Sequence, residues 1–296
     1  MAKPKPRPKD PGGMRFTERD KDTLQTIYEF EGLMSKRQIA EACFDGNQDT
    51  ARKRLRTLFE HGYLRQPEEE EVHRVPVGEW IYWLDTLGLE AVAGLRGEDP
   101  LKADKAKREA PQWAKIEHDL TLNDFRLTVN HALALHPEIT PGMWVNEKTI
   151  TRWADEVTFV QPNGRKAEKR FSPDGFFMVR RPRKQRIDEE EVFAFLVEID
   201  KGTHSNPAFA DEKVYPGIAY LNSPVYEKRY GVRFGRFLVV TTGGKRLEHM
   251  LQQTARIRGG EVFYFTTFAQ VKPETVLTDP IWLVAGKRDP IAIIPS

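Results

Sequence analysis

Two apolar stretches decide the predicted fold of the second half of the chain: FSPDGFFMV at 171–179 and FAFLVEIDKGT at 193–203. Both have the apolar content of buried β-strands. Both also carry carboxylates near one end, namely Asp174, Glu198 and Asp200. Ionised side chains are almost never fully buried unless they pair or bind a metal ion. The sequence therefore predicts a polar site at the ends of two core strands.

The stretch 193–200 is apolar on both of its faces until Glu198 and Asp200 occur. Side chains alternate across a strand, so these two carboxylates share one face. A strand that is apolar on both faces lies inside a covered sheet, and open α/β sheets bind ligands at the carboxyl ends of their strands. Asp174 begins the preceding strand and is expected to converge there. Three carboxylates at one sheet edge favour Mg²⁺ or Mn²⁺, which prefer oxygen ligands.

The composition limits the class of protein. The 296 residues, 39% apolar and 30% charged, are enough for about two ordinary globular domains. No apolar run approaches the ~20 residues needed to cross a bilayer, and no apolar signal segment begins the sequence, so we expect a cytoplasmic location and no membrane partner. The single cysteine, Cys43, excludes an internal disulfide and a multi-cysteine zinc site. Basic residues cluster at the start, around 52–56 and around 165–186, which favours a nucleic-acid partner.

Four segments are expected along the chain. Residues 1–15 alternate Lys or Arg with Pro, which predicts a disordered basic tail. Residues 16–96 predict a small helical domain, and the polar, aperiodic residues 97–111 predict a linker. In residues 112–296 a long amphipathic helix precedes alternating strands and helices. That pattern predicts an α/β domain in which helices flank one mixed central sheet.

The segment 16–96 has the signals of three short helices followed by a hairpin. Thr17 and Ser35 are predicted to cap the first two helices, and Asn47 is predicted to cap the third. Two short apolar strands follow, joined by a long acidic loop. Three helices and a hairpin in this order indicate a winged helix-turn-helix.

The third helix of this segment carries polar and basic side chains on or near the side away from its apolar seam. Such a helix fits the DNA major groove, because long cations reach base edges and phosphates there. The predicted DNA-contacting residues are Thr50, Arg52, Lys53, Arg54 and Arg56. Two alternatives stay open: a solvated helix face, and a winged helix that docks another protein.

Several short motifs, in a consistent order, resemble a known family. After the winged helix come HDLTLNDF, WVNEKTI, SPDGFF, FLVEIDKGT and DEKVYPGIAYL. Together they resemble the plasmid replication-relaxation family of mobile genetic elements, over most of residues 16–285. The strand that begins with Pro-Asp and the acidic strand with a nearby lysine are similar to the PD-(D/E)xK nuclease fold.

This resemblance implies a restriction-endonuclease-like domain with a defined catalytic set. Its metal ligands would be Glu147, Asp174 and Glu198, with Asp200 as a further ligand. In this fold the lysine normally lies two residues beyond the acidic ligand, but this chain has Asp200 there and Lys201 one position later. Because alternation directs Lys201 to the other face, Lys213 on the following helix is the lysine implied for orienting water.

The stretch VTTGGKR at 240–246 lacks the spacing of a phosphate-binding P-loop. No nucleotide cofactor is therefore expected. Arg246, within this stretch, is instead predicted to contact a nucleic-acid backbone.

One leading hypothesis and two alternatives follow. The leading hypothesis is a DNA-binding protein of a plasmid or mobile element, of replication-relaxation type, whose second domain nicks or cleaves double-stranded DNA with Mg²⁺ or Mn²⁺. The first alternative is a non-enzymatic replication or transcription regulator that uses a degenerate nuclease fold for DNA binding or for forming a homodimer. The second is a protein-docking adaptor, in which the basic third helix is irrelevant to DNA.

Overall fold

The computed structural model describes residues 6–102, 104–183, 186–202 and 209–295. The chain forms two units, Met1–Leu127 and Thr128–Ser296. Residues 1–5 of the predicted tail lie outside the described part. The predicted linker at 97–111 falls within the first unit, and the domain limits drawn from the sequence stay predictions.

Polar caps set the starts of the first three helices of the first unit. Thr17, Ser35 and Asn47 each accept a hydrogen bond from the backbone N–H three residues later, which satisfies donors that have no partner inside a helix. The helices that follow are α1 (Glu18–Glu29), α2 (Lys36–Cys43) and α3 (Gln48–Glu60). The three predicted helix starts are confirmed.

The apolar faces of these helices pack together. Leu24, Ile27, Ile39, Leu55 and Leu58 are all fully buried in one cluster. A buried Leu or Ile side chain contributes about 1.5–3 kcal/mol relative to an exposed one. Because short helices are marginal on their own, this shared core is what holds them in place.

A three-stranded antiparallel sheet adjoins the helices. Its strands are β1 (Leu33–Ser35), β2 (Leu64–Arg65) and β3 (Ile81–Leu84), in the order β1-β3-β2. The predicted hairpin is confirmed as β2 and β3, whereas β1 is too short for its periodicity to be recognised in the sequence. Two helices follow, α4 (Thr86–Leu95), capped by Asp85, and α5 (Ile116–Leu135), within which the division between the units falls.

One glycine of the first unit allows a close approach of two backbone segments. Gly32 has a φ of +80°, and a Cβ placed on it would lie 1.9 Å from the carbonyl oxygen of Lys107. A left-handed backbone favours glycine, and here the space available excludes any side chain as well.

A six-stranded sheet forms the centre of the second unit. In chain order the strands of this unit are β4 (Thr140–Asn146), β5 (Glu156–Val160), β6 (Lys166–Arg170), β7 (Gly175–Arg183), β8 (Arg186–Asp200), β9 (Arg236–Thr241), β10 (Phe263–Thr267) and β11 (Leu283–Val284). The sheet order is β11-β10-β9-β8-β7-β4, while β5 and β6 form a separate hairpin. Strands β8, β9 and β10 are parallel to one another, and the other pairs are antiparallel.

Helices flank this mixed sheet, so the predicted α/β class is confirmed. They include α6 (Glu147–Trp153), α7 (Tyr215–Leu221), α8 (Pro224–Tyr230) and α9 (Gly244–Thr254). Phe195, Leu196 and Val197, which alternate across β8, are all buried. The prediction that β8 is covered on both faces is therefore confirmed.

Two stretches of the second unit carry local predictions. The apolar residues of MWVNEKTI, at 143–150, predict one strand, but β4 ends at Asn146 and α6 begins at Glu147. The stretch at 206–221 predicts a helix that Pro216 bends or ends. In the structure Pro216 has no N–H to donate to the carbonyl of Glu212, which instead accepts a hydrogen bond from Nζ of Lys169 at 3.1 Å. A π-helical segment, Ala210–Val214, runs directly into α7, and residues 206–208 at the start of the stretch predicted as helix lie outside the described part. No described helix is both long and apolar enough to span a bilayer.

Replacing Gly32 tests the close approach at this position. Gly46 is a matched control, because its φ is +77° and no atom lies within 4 Å of the added Cβ. Gly46→Ala should lower the free energy of unfolding by about 1–2 kcal/mol, the cost of a left-handed backbone. Gly32→Ala should lower it by a further ~1–3 kcal/mol, because two backbone segments are forced apart. Urea denaturation measures both values, and equal losses would contradict the close approach.

Candidate metal centre

The strand order brings Asp174 to the carboxyl end of β8. Strand β7 runs antiparallel to β8, and its first residue, Gly175, pairs with Val197. Asp174 therefore lies beside the end of β8, next to Glu198. Its backbone N–H donates to the carbonyl of Val197 at 3.0 Å, and its Oδ2 accepts a hydrogen bond from the backbone N–H of Ile199 at 2.7 Å. These bonds fix Asp174 against the neighbouring strand.

Glu147 reaches the same edge from the other side of β7. Strand β4 is also antiparallel to β7, and its last residue, Asn146, pairs with Gly175. Glu147 follows directly as the first residue of α6. A carboxylate oxygen of Glu147 and one of Asp174 lie within 4.8 Å of each other. Two carboxylates this close repel each other unless positive charge lies nearby.

Lys213 supplies positive charge to this cluster. Its Nζ lies 2.5 Å from Oε2 of Glu198 and 3.8 Å from Oδ1 of Asp174, and it donates to the carbonyl of Ser172 at 3.4 Å. Glu198 is only 3% exposed, so its charge depends on compensation from within the protein.

The same contacts hold Lys213 in its charged form. Burial acts to lower the pKa of Lys213, but the negative charges of Glu198, Asp174 and Glu147 outweigh it and raise that pKa above its ordinary value. Lys213 belongs to the π-helical segment that precedes α7. Helices of this type often occur at functional sites.

Asp200 has a different cation. Arg246, in the first turn of α9, donates from Nε to Oδ2 at 2.5 Å and from Nη2 to Oδ1 at 2.6 Å. Thr241, the residue of β9 that pairs with Asp200, donates its hydroxyl to Oδ2 at 2.5 Å. Burial acts to raise the pKa of Asp200, but the bonds from Arg246 and Thr241 outweigh it and lower that pKa. Asp200 is therefore ionised at neutral pH.

The oxygens of Glu147 and Asp174, which lie within 4.8 Å of each other, suit a hard divalent cation, and Glu198 is linked to Asp174 through the ammonium of Lys213. Mg²⁺ and Mn²⁺ prefer carboxylate ligands, and the ammonium of Lys213 already lies among these groups. The space beside these carboxylates therefore already holds a positively charged group. Asp200 fits less directly, because both of its oxygens accept hydrogen bonds from Arg246.

Of the five residues of α3 that are predicted to contact DNA, four are exposed to solvent and the fifth, Arg54, makes contacts within the first unit. Thr50 and Lys53 are exposed. Arg52 lies 3.3 Å from Asp49 and Arg56 lies 2.7 Å from Glu60, and their side chains stay 63% and 55% exposed. Such exposed pairs are weak and exchange readily with another anion.

Arg54 faces inward. Its guanidinium pairs with the carboxylate of Asp20, which is fully buried in α1, and also donates to the carbonyl of Arg15. Burial acts to raise the pKa of Asp20, but the hydrogen bonds from Arg54 and Thr17 outweigh it and lower that pKa. Arg54 therefore joins α3 to α1 within the first unit.

Two contributors to the site are not predicted from the sequence. Thr241 bonds Asp200, and the carbonyl of Ser172 accepts from Lys213. Thr241 could have been identified from the pairing of the strands, because it is the residue of β9 that lies opposite Asp200. A carbonyl oxygen leaves no signal of this kind in a sequence.

A double-mutant cycle tests the pair formed by Lys213 and Glu198. Lys213→Met removes the cation nearest to a buried carboxylate and should lower the free energy of unfolding by about 3–5 kcal/mol. Glu198→Gln should cost less, because Asp174 still lies near the ammonium. The double variant should be at least ~1 kcal/mol more stable than the sum of the two losses predicts.

Lys228→Met, at an exposed lysine of α8, is the control and should change stability by less than about 0.5 kcal/mol. Additive losses in the cycle would mean that the two side chains do not interact.

Comparison with known proteins identifies the family. A family model described as replication-relaxation matches residues 24–233, more than half of the chain. The match includes Glu147, Asp174, Glu198 and Lys213, whereas Arg246 lies beyond it. No curated protein and no solved structure matches the chain. As its motifs predict, the chain belongs to the replication-relaxation family, which connects it with the replication of plasmids or mobile elements.

Proposed function

We propose that this protein binds double-stranded DNA through its first unit and hydrolyses a phosphodiester bond at the carboxylate cluster of its second unit. One observation carries the proposal: the Nζ of Lys213 lies 2.5 Å from Glu198 and 3.8 Å from Asp174, at the edge of the central sheet. Acidic side chains around a charged lysine at such an edge are what the PD-(D/E)xK resemblance implies.

In this proposal each residue of the second unit has a defined task. Glu147, Asp174 and Glu198 hold Mg²⁺ or Mn²⁺, which when bound would supply an acidified water molecule and positive charge beside the scissile phosphate. Lys213 stays protonated and donates a hydrogen bond that orients the attacking water. Its side chain is 27% exposed, so solvent has access to it.

The first unit contributes the binding of DNA. The proposed fold is a winged helix-turn-helix, in which α3 enters the major groove. The proposed contacts are Thr50, Arg52, Lys53 and Arg56, because these residues are exposed. The sequence also predicts a DNA contact for Arg54, but its bond to the buried Asp20 supports a structural role instead.

A second candidate function is a regulator that binds DNA without cutting it. The observation that favours it is that Glu198 already pairs with Lys213 and Asp200 with Arg246. Each of these two pairs is electrically neutral in the absence of a divalent cation. In this version the nuclease-like unit serves DNA binding or the formation of a homodimer.

Three arginine variants test the DNA-binding surface. Arg52→Gln and Arg56→Gln should each weaken binding to a duplex by about three- to tenfold and lower the dependence on salt concentration, because each removes a phosphate contact. Arg54→Gln should mainly lower the free energy of unfolding, by about 2–4 kcal/mol, because Asp20 loses its cation in the interior.

Fluorescence anisotropy measures the binding of DNA, and urea denaturation measures stability. If Arg52→Gln and Arg56→Gln bind as tightly as the unaltered protein, α3 is not the DNA surface and the adaptor hypothesis is favoured.

A plasmid assay separates the enzyme from the regulator. Supercoiled plasmid incubated with the protein and Mg²⁺ or Mn²⁺ should become nicked or linear, and EDTA should prevent this change. Asp174→Asn and Glu198→Gln should lower the rate at least about a hundredfold while DNA affinity is kept. Glu248→Gln, at an exposed glutamate of α9, is the matched control and should cut at the normal rate. Binding without cleavage under either metal would favour the regulator.

A further inference from the structure

Strand β6 carries a lysine on the face that packs against the core of the second unit. Side chains alternate along a strand, and the even-numbered residues of β6 are exposed, whereas Ala167 and Lys169 are partly buried. Val157, which pairs with Lys169 across the hairpin, is buried in the core. An ammonium on this face is costly without a polar partner, so the contact that it makes is a specific feature of the structure.

The ammonium of Lys169 bonds the backbone of the π-helical segment. Its Nζ donates to the carbonyl oxygen of Glu212 at 3.1 Å, and Glu212 directly precedes Lys213. In a regular α-helix this carbonyl accepts from the residue four positions later, which here is Pro216 and has no N–H. Lys169 thus supplies a donor to a carbonyl whose α-helical donor the sequence has removed.

The chain that leaves β6 contacts Lys213 a second time. Three residues after Lys169, the carbonyl oxygen of Ser172 accepts a hydrogen bond from Nζ of Lys213 at 3.4 Å. Asp174, two residues further along, has its Oδ1 at 3.8 Å from the same Nζ. The bond from Lys169 therefore fixes the backbone next to Lys213, while the residues that follow β6 fix the end of its side chain.

A buried network fastens the same hairpin to the helix that follows Lys213. Asp155, which directly precedes β5, is 6% exposed. Its Oδ2 accepts a hydrogen bond from the hydroxyl of Tyr220 in α7 at 3.0 Å, and the guanidinium of Arg229 donates to both of its oxygens. The hairpin is thus bonded near the end of α7 through Asp155 and ahead of α7 through Lys169. Two attachments restrict rotation of the π-helical segment better than one.

We infer that Lys169 is a positioning residue, which holds the π-helical segment so that the ammonium of Lys213 stays beside Glu198. Lys169 acts through the carbonyl of Glu212 and has no direct task in the reaction. The inference deepens the proposed function and rests on it, since the placing of Lys213 matters to a reaction in which that ammonium orients the attacking water. A misplacement of about 1 Å can cost about a hundredfold in rate.

The coupling between Lys213 and Glu198 tests this role without any cleavage. The double-mutant cycle of Lys213→Met and Glu198→Gln is repeated by urea denaturation in a chain that carries Lys169→Met. The coupling should fall to less than about half of its value in the unaltered chain, because the ammonium is no longer held in place. Lys169→Arg keeps a long cationic donor and should restore part of it. Lys166→Met, at an exposed lysine of the same strand, is the matched control and should leave the coupling unchanged.

Single-turnover cleavage of supercoiled plasmid tests the consequence for the reaction. With protein in saturating excess, Lys169→Met should cut about ten- to a hundredfold more slowly and keep its DNA affinity in EDTA within about twofold. Lys169→Arg should recover part of the rate, and Lys166→Met should cut at the normal rate. Circular dichroism at the assay temperature shows whether each variant is folded. Lys169→Gln, which keeps a polar side chain, replaces Lys169→Met in both experiments if Lys169→Met is unfolded.

The results separate the inference from the proposed function. If the coupling in Lys169→Met equals that in the unaltered chain, or if Lys166→Met lowers it equally, Lys169 does not position Lys213 and the inference is wrong. A normal cleavage rate for folded Lys169→Met would also overturn it. If the coupling falls in Lys169→Met alone but the unaltered chain cuts no DNA, Lys169 does position Lys213, and the proposed hydrolysis is what fails.

Discussion

The contact between Lys213 and Glu198 is the interaction on which the candidate site depends. A carboxylate that is 3% exposed needs positive charge close to it, and the ammonium at 2.5 Å provides that charge. Because the same ammonium lies 3.8 Å from Asp174, one cation serves two strands. This ammonium therefore offsets part of the repulsion among the acidic groups at this edge of the sheet.

Strand direction explains why these groups meet. Strand β7 lies between β4 and β8 and is antiparallel to both. Its first residue therefore stands beside the last residues of its two neighbours, which gathers three chain segments that are far apart in sequence. In an all-parallel sheet the residue that begins β7 would lie at the opposite edge. The antiparallel position of one strand is thus a condition for the whole cluster.

The predictions from the sequence succeeded where a local pattern is sufficient. Caps such as Ser35 and the apolar run of β8 mark their own elements, because each depends on neighbours a few residues away. The partner of Asp200 was beyond such reasoning, since Arg246 lies 46 positions later and contacts it only through packing of α9. Arg54 illustrates the same limit: its sequence neighbours are basic and exposed, but its guanidinium pairs with Asp20 in another helix.

The π-helical segment that carries Lys213 has a consequence for how this protein tolerates change. A π-helix holds one more residue per hydrogen-bonded turn than an α-helix, and each residue advances a helix by about 100°. Loss of one residue between Phe209 and Tyr215 would return this turn to regular α-helix and rotate the lysine out of line with β8. The length of this segment is therefore under tighter constraint than the identity of most residues in it, and relatives should differ there by substitution rather than by insertion or deletion.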